Sequence, residues 1–162
     1  MKKLFLFLVA GLLFSAQLAA QAPGQILQNI LTQTSIDTLM KNVRELSGNV
    51  PTVIGGQPYT IVSRHKNNAS NDKSAQWIRE KLASYGLNSS LQSFSSTGAN
   101  VIAVQPGTEF PNKKFIICAH FDAMPSGSLA PGADDNASGT AAVIEAARLF
   151  KNYSFPYTIV YA

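Results

Sequence analysis

Apolar residues follow two periodicities along this chain of 162 residues. In four segments they recur every three to four positions, which places them on one face of a helix. In four others they alternate with polar residues or form short runs between turn residues, as strands do. The pattern predicts helices at 26–31, 36–47, 72–85 and 138–150, and strands at 91–94, 100–104, 114–119 and 157–161.

The order of these elements indicates the fold class. Helices precede and interrupt the strands, so we expect an α/β fold of three layers, α/β/α, with a mostly parallel or mixed central sheet. Strands 100–104 and 114–119 are short apolar runs, which is typical of central strands. Helix 36–47 has Ser35 as its predicted N-cap, and its apolar stripe is expected in the core.

Turn residues mark the segments between these elements. Segment 49–63 is rich in proline and glycine, and we predict a loop with a brief extended piece at 59–62. Ser70 or Asn71 is the predicted cap of helix 72–85. Trp77 lies off the apolar stripe of that helix and is expected to cover a neighbouring loop.

The first residues are typical of an export signal. Two lysines after Met1 are followed by the apolar run Leu4–Phe14 and then by small and polar residues up to Ala20. We predict a cleaved signal peptide at 1–20, one domain at 21–162, and a secreted or periplasmic protein. No other stretch approaches the roughly 20 apolar residues of a membrane span, so no membrane contact is expected after cleavage.

Charge and cysteine content argue against a nucleic-acid-binding protein and exclude a disulfide-stabilised one. After residues 1–20, eleven basic and nine acidic residues remain, without a basic cluster, so nucleic acid is not an expected partner. The group Arg64-His65-Lys66 is predicted to be a solvated turn. Cys118 is the single cysteine, which excludes an intrachain disulfide, and its apolar neighbours predict a buried, inert thiol. Nothing in the sequence specifies an oligomeric state.

The candidate chemistry lies between Lys114 and Thr140. His120 and Asp122 follow a strand two positions apart, so both side chains point to the same side. A metal-binding imidazole commonly donates its other N–H to a carboxylate, and the His-x-Asp pattern supplies both groups. A structural histidine at a strand end is the alternative interpretation.

Asp134 and Asp135 stand directly before a predicted helix, among glycine and alanine residues. A helix cap explains one acid, whereas the small neighbours favour a carboxylate that is aimed inward. The loop can bring Asp135 back to His120, and imidazole plus carboxylate suits zinc or a related ion. A catalytic zinc needs three protein ligands. Neither His65, in a mobile turn, nor Glu145, on a solvated helix face, is expected to complete the site.

The stretch resembles the secreted zinc-dependent aminopeptidases of the bacterial leucyl aminopeptidase type, which are co-catalytic dizinc exopeptidases. The strand NVIAV, the strand end AHFDA, the loop APGADDNASG and the strand YTIVYA carry the resemblance. It implies that His120 binds one zinc ion, that Asp135 bridges two, and that Asp122 takes part in catalysis by holding His120. It also implies a cis peptide bond between Asp135 and Asn136, and peptide or protein N-termini as substrates.

The same resemblance implies that the general-base glutamate and the remaining ligands follow strand 157–161, beyond Ala162. The chain is therefore expected to be the N-terminal part of a zinc peptidase domain, incomplete at its C-terminus and inactive alone. Two alternatives stay open. One is a glutaminyl cyclase, which has the same fold and a single zinc, and the other is a non-catalytic binding module that has lost the site.

Overall fold

A computed structural model describes residues 23–127 and 129–162, so the predicted signal peptide lies outside the described residues. The helices are α1 (Pro23–Gln33), α2 (Ile36–Leu46), α3 (Ala69–Ser84) and α4 (Gly139–Phe150), and a kinked turn at Ala133–Ser138 precedes α4. The strands are β1 (Thr52–Ile54), β2 (Gln57–Tyr59), β3 (Asn88–Ser93), β4 (Ala99–Gln105), β5 (Phe110–Ile117) and β6 (Tyr157–Tyr161). No helix in these ranges has the length and apolar character needed to cross a membrane.

The main sheet is mixed, which confirms the predicted α/β class. Its strand order is β3-β4-β6-β5. The β5–β6 pair is parallel, whereas β4 runs antiparallel to both β3 and β6. Ile117 pairs with Tyr161, so β5 and β6 end at the same edge of the sheet. Ligand sites in α/β sheets form at this carboxyl edge.

The hydrophobic core lies between one face of the sheet and the helices. Alternate residues of β4 and β6 supply the buried face of the sheet, as period-two alternation requires. Residues of α3 and α4 at helical spacing pack against them. The core residues from these four elements are Val101, Ala103, Ile159, Tyr161, Ala75, Trp77, Ile78, Leu82, Val143, Ile144 and Ala147.

Helix α2 confirms the predicted cap but not the predicted buried face. Thr38 N donates to Ser35 Oγ at 3.2 Å, so Ser35 is the N-cap. Ile36 is 69% exposed and Met40 is also exposed, whereas Glu45 is buried. The prediction of an apolar stripe wholly in the core is wrong for the first turns, because only the end of the helix packs against the core.

Helix α3 begins earlier than predicted. Asn68 is its N-cap, and its side-chain oxygen accepts from Ser70 N at 2.9 Å. Ser70 and Asn71, the predicted caps, lie buried in the first turn. Their polar side chains mimic a cap in the sequence, although tertiary packing accommodates them within the helix.

The segment predicted as a loop contains a β-hairpin. Strands β1 and β2 pair antiparallel across Gly55 and Gly56, both of which have positive φ. Such φ values are those of the tight turns that match strand twist. Trp77 Nε1 donates to Thr52 Oγ1 at 2.9 Å, so Trp77 covers this hairpin, as predicted for a neighbouring loop.

Strand β5 differs from its prediction as a central strand. It lies at the end of the strand order, next to β6 alone among the described residues. Phe115 and Ile116 are 61% and 64% exposed, and Cys118 is exposed as well. The prediction that Cys118 is buried is therefore wrong, because an apolar run does not reveal how many strands flank it.

Candidate metal centre

The candidate ligands lie at the carboxyl edge of the parallel strand pair. Backbone pairing continues past the strand ends, since Ala162 N donates to Ile117 O at 3.0 Å and Ala119 N donates to Ala162 O at 3.1 Å. His120 is the next residue along the chain. The sheet thus determines the backbone position from which the imidazole extends.

The structure places His120 beside Asp122. His120 Nδ1 lies 3.1 Å from the backbone oxygen of Asp122 and 3.5 Å from its Oδ1. Both oxygens can only accept, so a neutral imidazole in this position carries its proton on Nδ1. The lone pair is then on Nε2. Asp122 is thereby able to hold the tautomer that a metal ligand requires.

Asp135 lies on the other side of the ring. Its Oδ1 is 3.2 Å from His120 Nε2, and the two side chains are 85% and 55% exposed. Two ligand atoms at ordinary bond lengths from one tetrahedral zinc lie roughly 3.3 Å apart. A lone pair and a carboxylate oxygen repel each other at this distance unless a proton or cation lies between them. The donor set therefore fits a divalent cation.

These two donors are fewer than a catalytic zinc takes from its protein. Within residues 23–127 and 129–162, no group of three or more His, Cys, Asp or Glu side chains is arranged to hold a metal ion. His65 is half-buried, and its Nδ1 accepts from Asn67 N at 3.2 Å. The assignment of His120 and Asp135 as metal ligands therefore stays a prediction, and the structure shows only that their side chains lie together.

Small residues give the loop before α4 its shape. Gly132 has a φ of +50°, and a Cβ there would lie 2.4 Å from the backbone oxygen of Asp135. The Asp135–Asn136 peptide bond is cis, as the resemblance implies. Gly139 N donates to Asn136 Oδ1 at 3.0 Å, so the Asn136 side chain caps the first backbone N–H of α4. A capping role for either aspartate is therefore unnecessary, and the Asp135 carboxylate stays available.

Thr140 connects the two ligand-bearing segments, and sequence reasoning did not single it out. Its buried hydroxyl lies 3.2 Å from the backbone oxygen of His120 and 3.0 Å from that of Asn136. Threonine near a helix start is common and carries no specific signal in a single sequence. Its contribution follows only from the proximity of the strand end to α4.

Arg64 corrects the prediction of a solvated turn. The residue is fully buried. Its guanidinium donates to the backbone oxygens of Leu46, Phe121, Pro131 and Gly132. Burial lowers the pKa of Arg64 to about 10, while the charges of Asp122 and Asp135 act in the opposite direction. The group is thus a cation at neutral pH, placed between the segments that carry the candidate ligands.

Glu145 also departs from its prediction, which was a solvated helix face. It is 3% exposed and accepts from Ser35 N at 2.9 Å. Arg148 donates to both of its carboxylate oxygens at 2.7 Å. Burial raises the pKa of Glu145, but the hydrogen bonds from Arg148 and Ser35 outweigh it and hold the pKa below its ordinary value. Glu145 is a structural ion-pair partner, away from the candidate ligands.

Residues 100–161 match Peptidase family M28. The chain is 34% identical over 145 residues to leupeptin-inactivating enzyme 1 of Streptomyces exfoliatus, covering 87% of this chain and 31% of that protein. It is 26% identical over 165 residues to a probable zinc metalloprotease of Pyrenophora teres f. teres (strain 0-1), covering 89% of this chain and 33% of that protein. The chain thus spans about a third of the length of these relatives.

Solved structures share the fold. The LapA aminopeptidase of Legionella pneumophila superposes with a TM-score of 0.70 at 16% identity, covering 87% of this chain and 36% of that one. A glutaminyl cyclase of Fimbriiglobus ruber superposes with a TM-score of 0.60 at 20% identity, covering 80% and 44%. Fold and sequence together make the chain similar to α/β metallopeptidases. More particularly, the chain matches the M28-type zinc aminopeptidases over part of their length, which confirms the resemblance.

Proposed function

We propose that the protein containing this chain is an exported zinc-dependent aminopeptidase, in which His120 and Asp135 bind zinc. The observation that carries the proposal is the 3.2 Å approach of His120 Nε2 to Asp135 Oδ1, with Asp122 behind the imidazole. The M28 match over residues 100–161 supports the reaction class. Peptides with a free N-terminus are the proposed substrates.

Each residue has a distinct task in this proposal. Asp122 keeps the proton of His120 on Nδ1 and fixes the plane of the ring, so that Nε2 stays an acceptor. Asp135 supplies an exposed negative charge opposite Nε2, and its carboxylate has a second oxygen that can bridge to a further ion. Zinc, when bound, supplies Lewis acidity that polarises a carbonyl group and acidifies water.

Two donors do not complete a catalytic site, so we propose that further ligands and a general base come from other parts of the protein. The chain spans about a third of its relatives, which leaves most of such a protein to supply them. Ala162 pairs with Ala119 next to His120, so a residue that follows β6 would lie at the same edge of the sheet. Two zinc ions, bridged by Asp135, are proposed for the full-length protein.

The test uses the full-length protein, with metal content and hydrolysis measured together. We expect about two zinc ions per chain, release of the first residue from unblocked peptides, and no release from the same peptides with an acetylated N-terminus. His120→Ala should lose at least one ion and lower kcat/KM by more than about a hundredfold, since both depend on the metal.

The matched control is His65→Ala, which removes the other histidine and should change zinc content and kcat/KM by less than about twofold. Peptides that begin with glutamine are included in the same assay. Cyclisation of that glutamine by a one-zinc protein would replace the proposal with glutaminyl cyclase. If the full-length protein neither binds zinc nor hydrolyses these peptides, the remaining interpretation is a non-catalytic binding module.

A further inference from the structure

We propose that Arg64 is a positioning residue, whose guanidinium sets the separation between the strand end that carries His120 and the loop that carries Asp135. Its consequence for zinc affinity rests on the proposed function. The separation itself is a property of the described residues and can be measured without metal.

The contacts of the guanidinium reach three separate segments. Nε donates to Phe121 O at 2.6 Å, and Phe121 lies between His120 and Asp122. Nη2 donates to Gly132 O at 2.6 Å, and Nη1 donates to Pro131 O, in the loop that leads to Asp135. Nη1 also donates to Leu46 O at 2.5 Å, which connects both segments to the end of α2.

The backbone of Arg64 connects the same two segments. Arg64 N donates to Ala130 O at 2.9 Å, and Ala123 N donates to Arg64 O at 3.1 Å. Ala123 follows the His120 strand end, and Ala130 begins the segment that leads to Asp135. The main chain and the side chain of Arg64 therefore hold the same two segments together. Neither segment can shift alone without breaking hydrogen bonds to Arg64.

The fit around the guanidinium is close. A Cβ on Gly132 would lie 2.8 Å from Nη2, so the loop approaches Arg64 as nearly as a glycine allows. Gly132 O also accepts from Ala137 N at 3.0 Å, which transmits the position of this peptide to the turn that contains Asp135. A change at Arg64 is therefore expected to move the Asp135 carboxylate relative to His120.

Lysine cannot replace this arrangement. Its ammonium carries the same charge but is a compact donor, whereas the planar guanidinium directs its N–H groups along fixed, diverging directions. After Arg64→Lys, some of the four carbonyl oxygens would be left without a donor inside the protein, which is costly. Because the charge is retained, the substitution isolates the geometric role from the electrostatic one.

The test compares Arg64→Lys with Arg148→Lys in the full-length protein. Arg148 is a matched control because it too donates to a backbone oxygen, that of Gln33, and to a buried partner, but at the far end of α4. Zinc affinity is measured by competition with a chelator, and amide hydrogen exchange is followed without metal at Ala123 and Ala137. The absorption spectrum of the cobalt-substituted protein reports ligand geometry.

We expect Arg64→Lys to weaken zinc binding by about 10- to 100-fold, the range found when groups that orient metal ligands are removed. In Arg64→Lys, amide exchange at Ala123 and Ala137 should accelerate at least tenfold, and the cobalt spectrum should change. Arg148→Lys should alter neither the exchange rates nor the spectrum. Added guanidinium should partly restore zinc affinity in Arg64→Ala.

Other outcomes separate the two proposals. Unchanged exchange at Ala123 and Ala137 in Arg64→Lys would overturn the positioning role. A wild-type protein that binds no zinc would overturn the proposed function, while accelerated exchange would still support the separation role of Arg64. If Arg64→Lys does not fold although Arg148→Lys does, Arg64 is required for the stability of the whole fold. The inference of a specific positioning role then fails.

Discussion

Glu145 shows how a single buried charge joins distant parts of this chain. It lies on α4, accepts from Ser35 N at the start of α2, and is held by Arg148. Arg148 Nη2 in turn donates to Gln33 O at the end of α1. A buried carboxylate is tolerated only when it is paired and hydrogen-bonded, and these contacts meet that condition.

Stability should therefore depend on pH through Glu145. Its folded-state pKa lies below the ordinary value of 4.5, so the unfolded chain binds this proton at a higher pH than the folded protein. The stabilisation is present above about pH 4.5 and is lost as pH falls through the folded-state pKa. Glu145→Gln should lower the free energy of unfolding by about 1–3 kcal/mol at pH 7, and by less at pH 3.

Urea denaturation of the full-length protein from pH 3 to pH 7 measures this difference. Glu109→Gln is the control, since Glu109 is exposed. We expect a change below about 0.5 kcal/mol for that variant at every pH. A constant difference between wild type and Glu145→Gln over the whole range would contradict the assignment.

At the scale of elements, helix α2 is held at both ends, by its N-cap hydrogen bond and by the burial of Leu46. Ser35 Oγ accepts from Thr38 N, whereas Ile36 in the first turn is exposed. Hydrogen bonding at the N-terminus and burial at Leu46 therefore determine where the helix lies. The last residue of the helix in turn presents its carbonyl oxygen, Leu46 O, to the guanidinium of Arg64.

Ser35→Ala should destabilise the protein by about 1 kcal/mol, because Thr38 N loses its acceptor at the helix end. Ser47→Ala is the matched control at the other end of α2. Ser47 Oγ makes only a long 3.4 Å contact with Arg44 O, so its loss should cost less than about 0.5 kcal/mol. Thermal denaturation of both variants measures the effect, and equal costs would argue against the cap.

At the scale of the whole molecule, one edge of the main sheet is formed by the exposed strand β5. Strand β6 lies between β4 and β5, although it follows both of them in the sequence. Strand β5 pairs only with β6 in the described ranges, and it exposes Phe115 and Ile116. An apolar, unpaired strand edge is a template for association. In a longer protein, the same edge is available for further strands.

The chain of residues 21–162, prepared alone, is therefore expected to self-associate through β5. Phe115→Lys should weaken the association by about tenfold in dissociation constant, because the lost burial is worth about 1.5 kcal/mol. Phe94→Lys is the control, since Phe94 is 69% exposed and lies outside this strand. Sedimentation velocity measures both variants, and equal effects would exclude β5 as the contact.

Local patterns in the sequence determined much of the fold. The bounds of β6 and the cap of α2 agree with their predictions, because periodicity and capping depend on neighbours in the chain. The candidate site was also visible, since His120 and Asp122 share a strand end and Asp135 lies in a loop of small residues. The structure brings His120 within 3.5 Å of both aspartates.

Burial and strand order were decided by tertiary structure alone. Arg64 and Glu145 look like solvated charges in the sequence, and Cys118 looks buried, yet the structure reverses all three. The physical reason is that burial depends on segments that are distant in the chain, such as the loop at Pro131 and Gly132 that closes over Arg64. The sequence thus indicated which groups are candidate metal ligands, whereas the packing around a buried arginine decided where these groups lie.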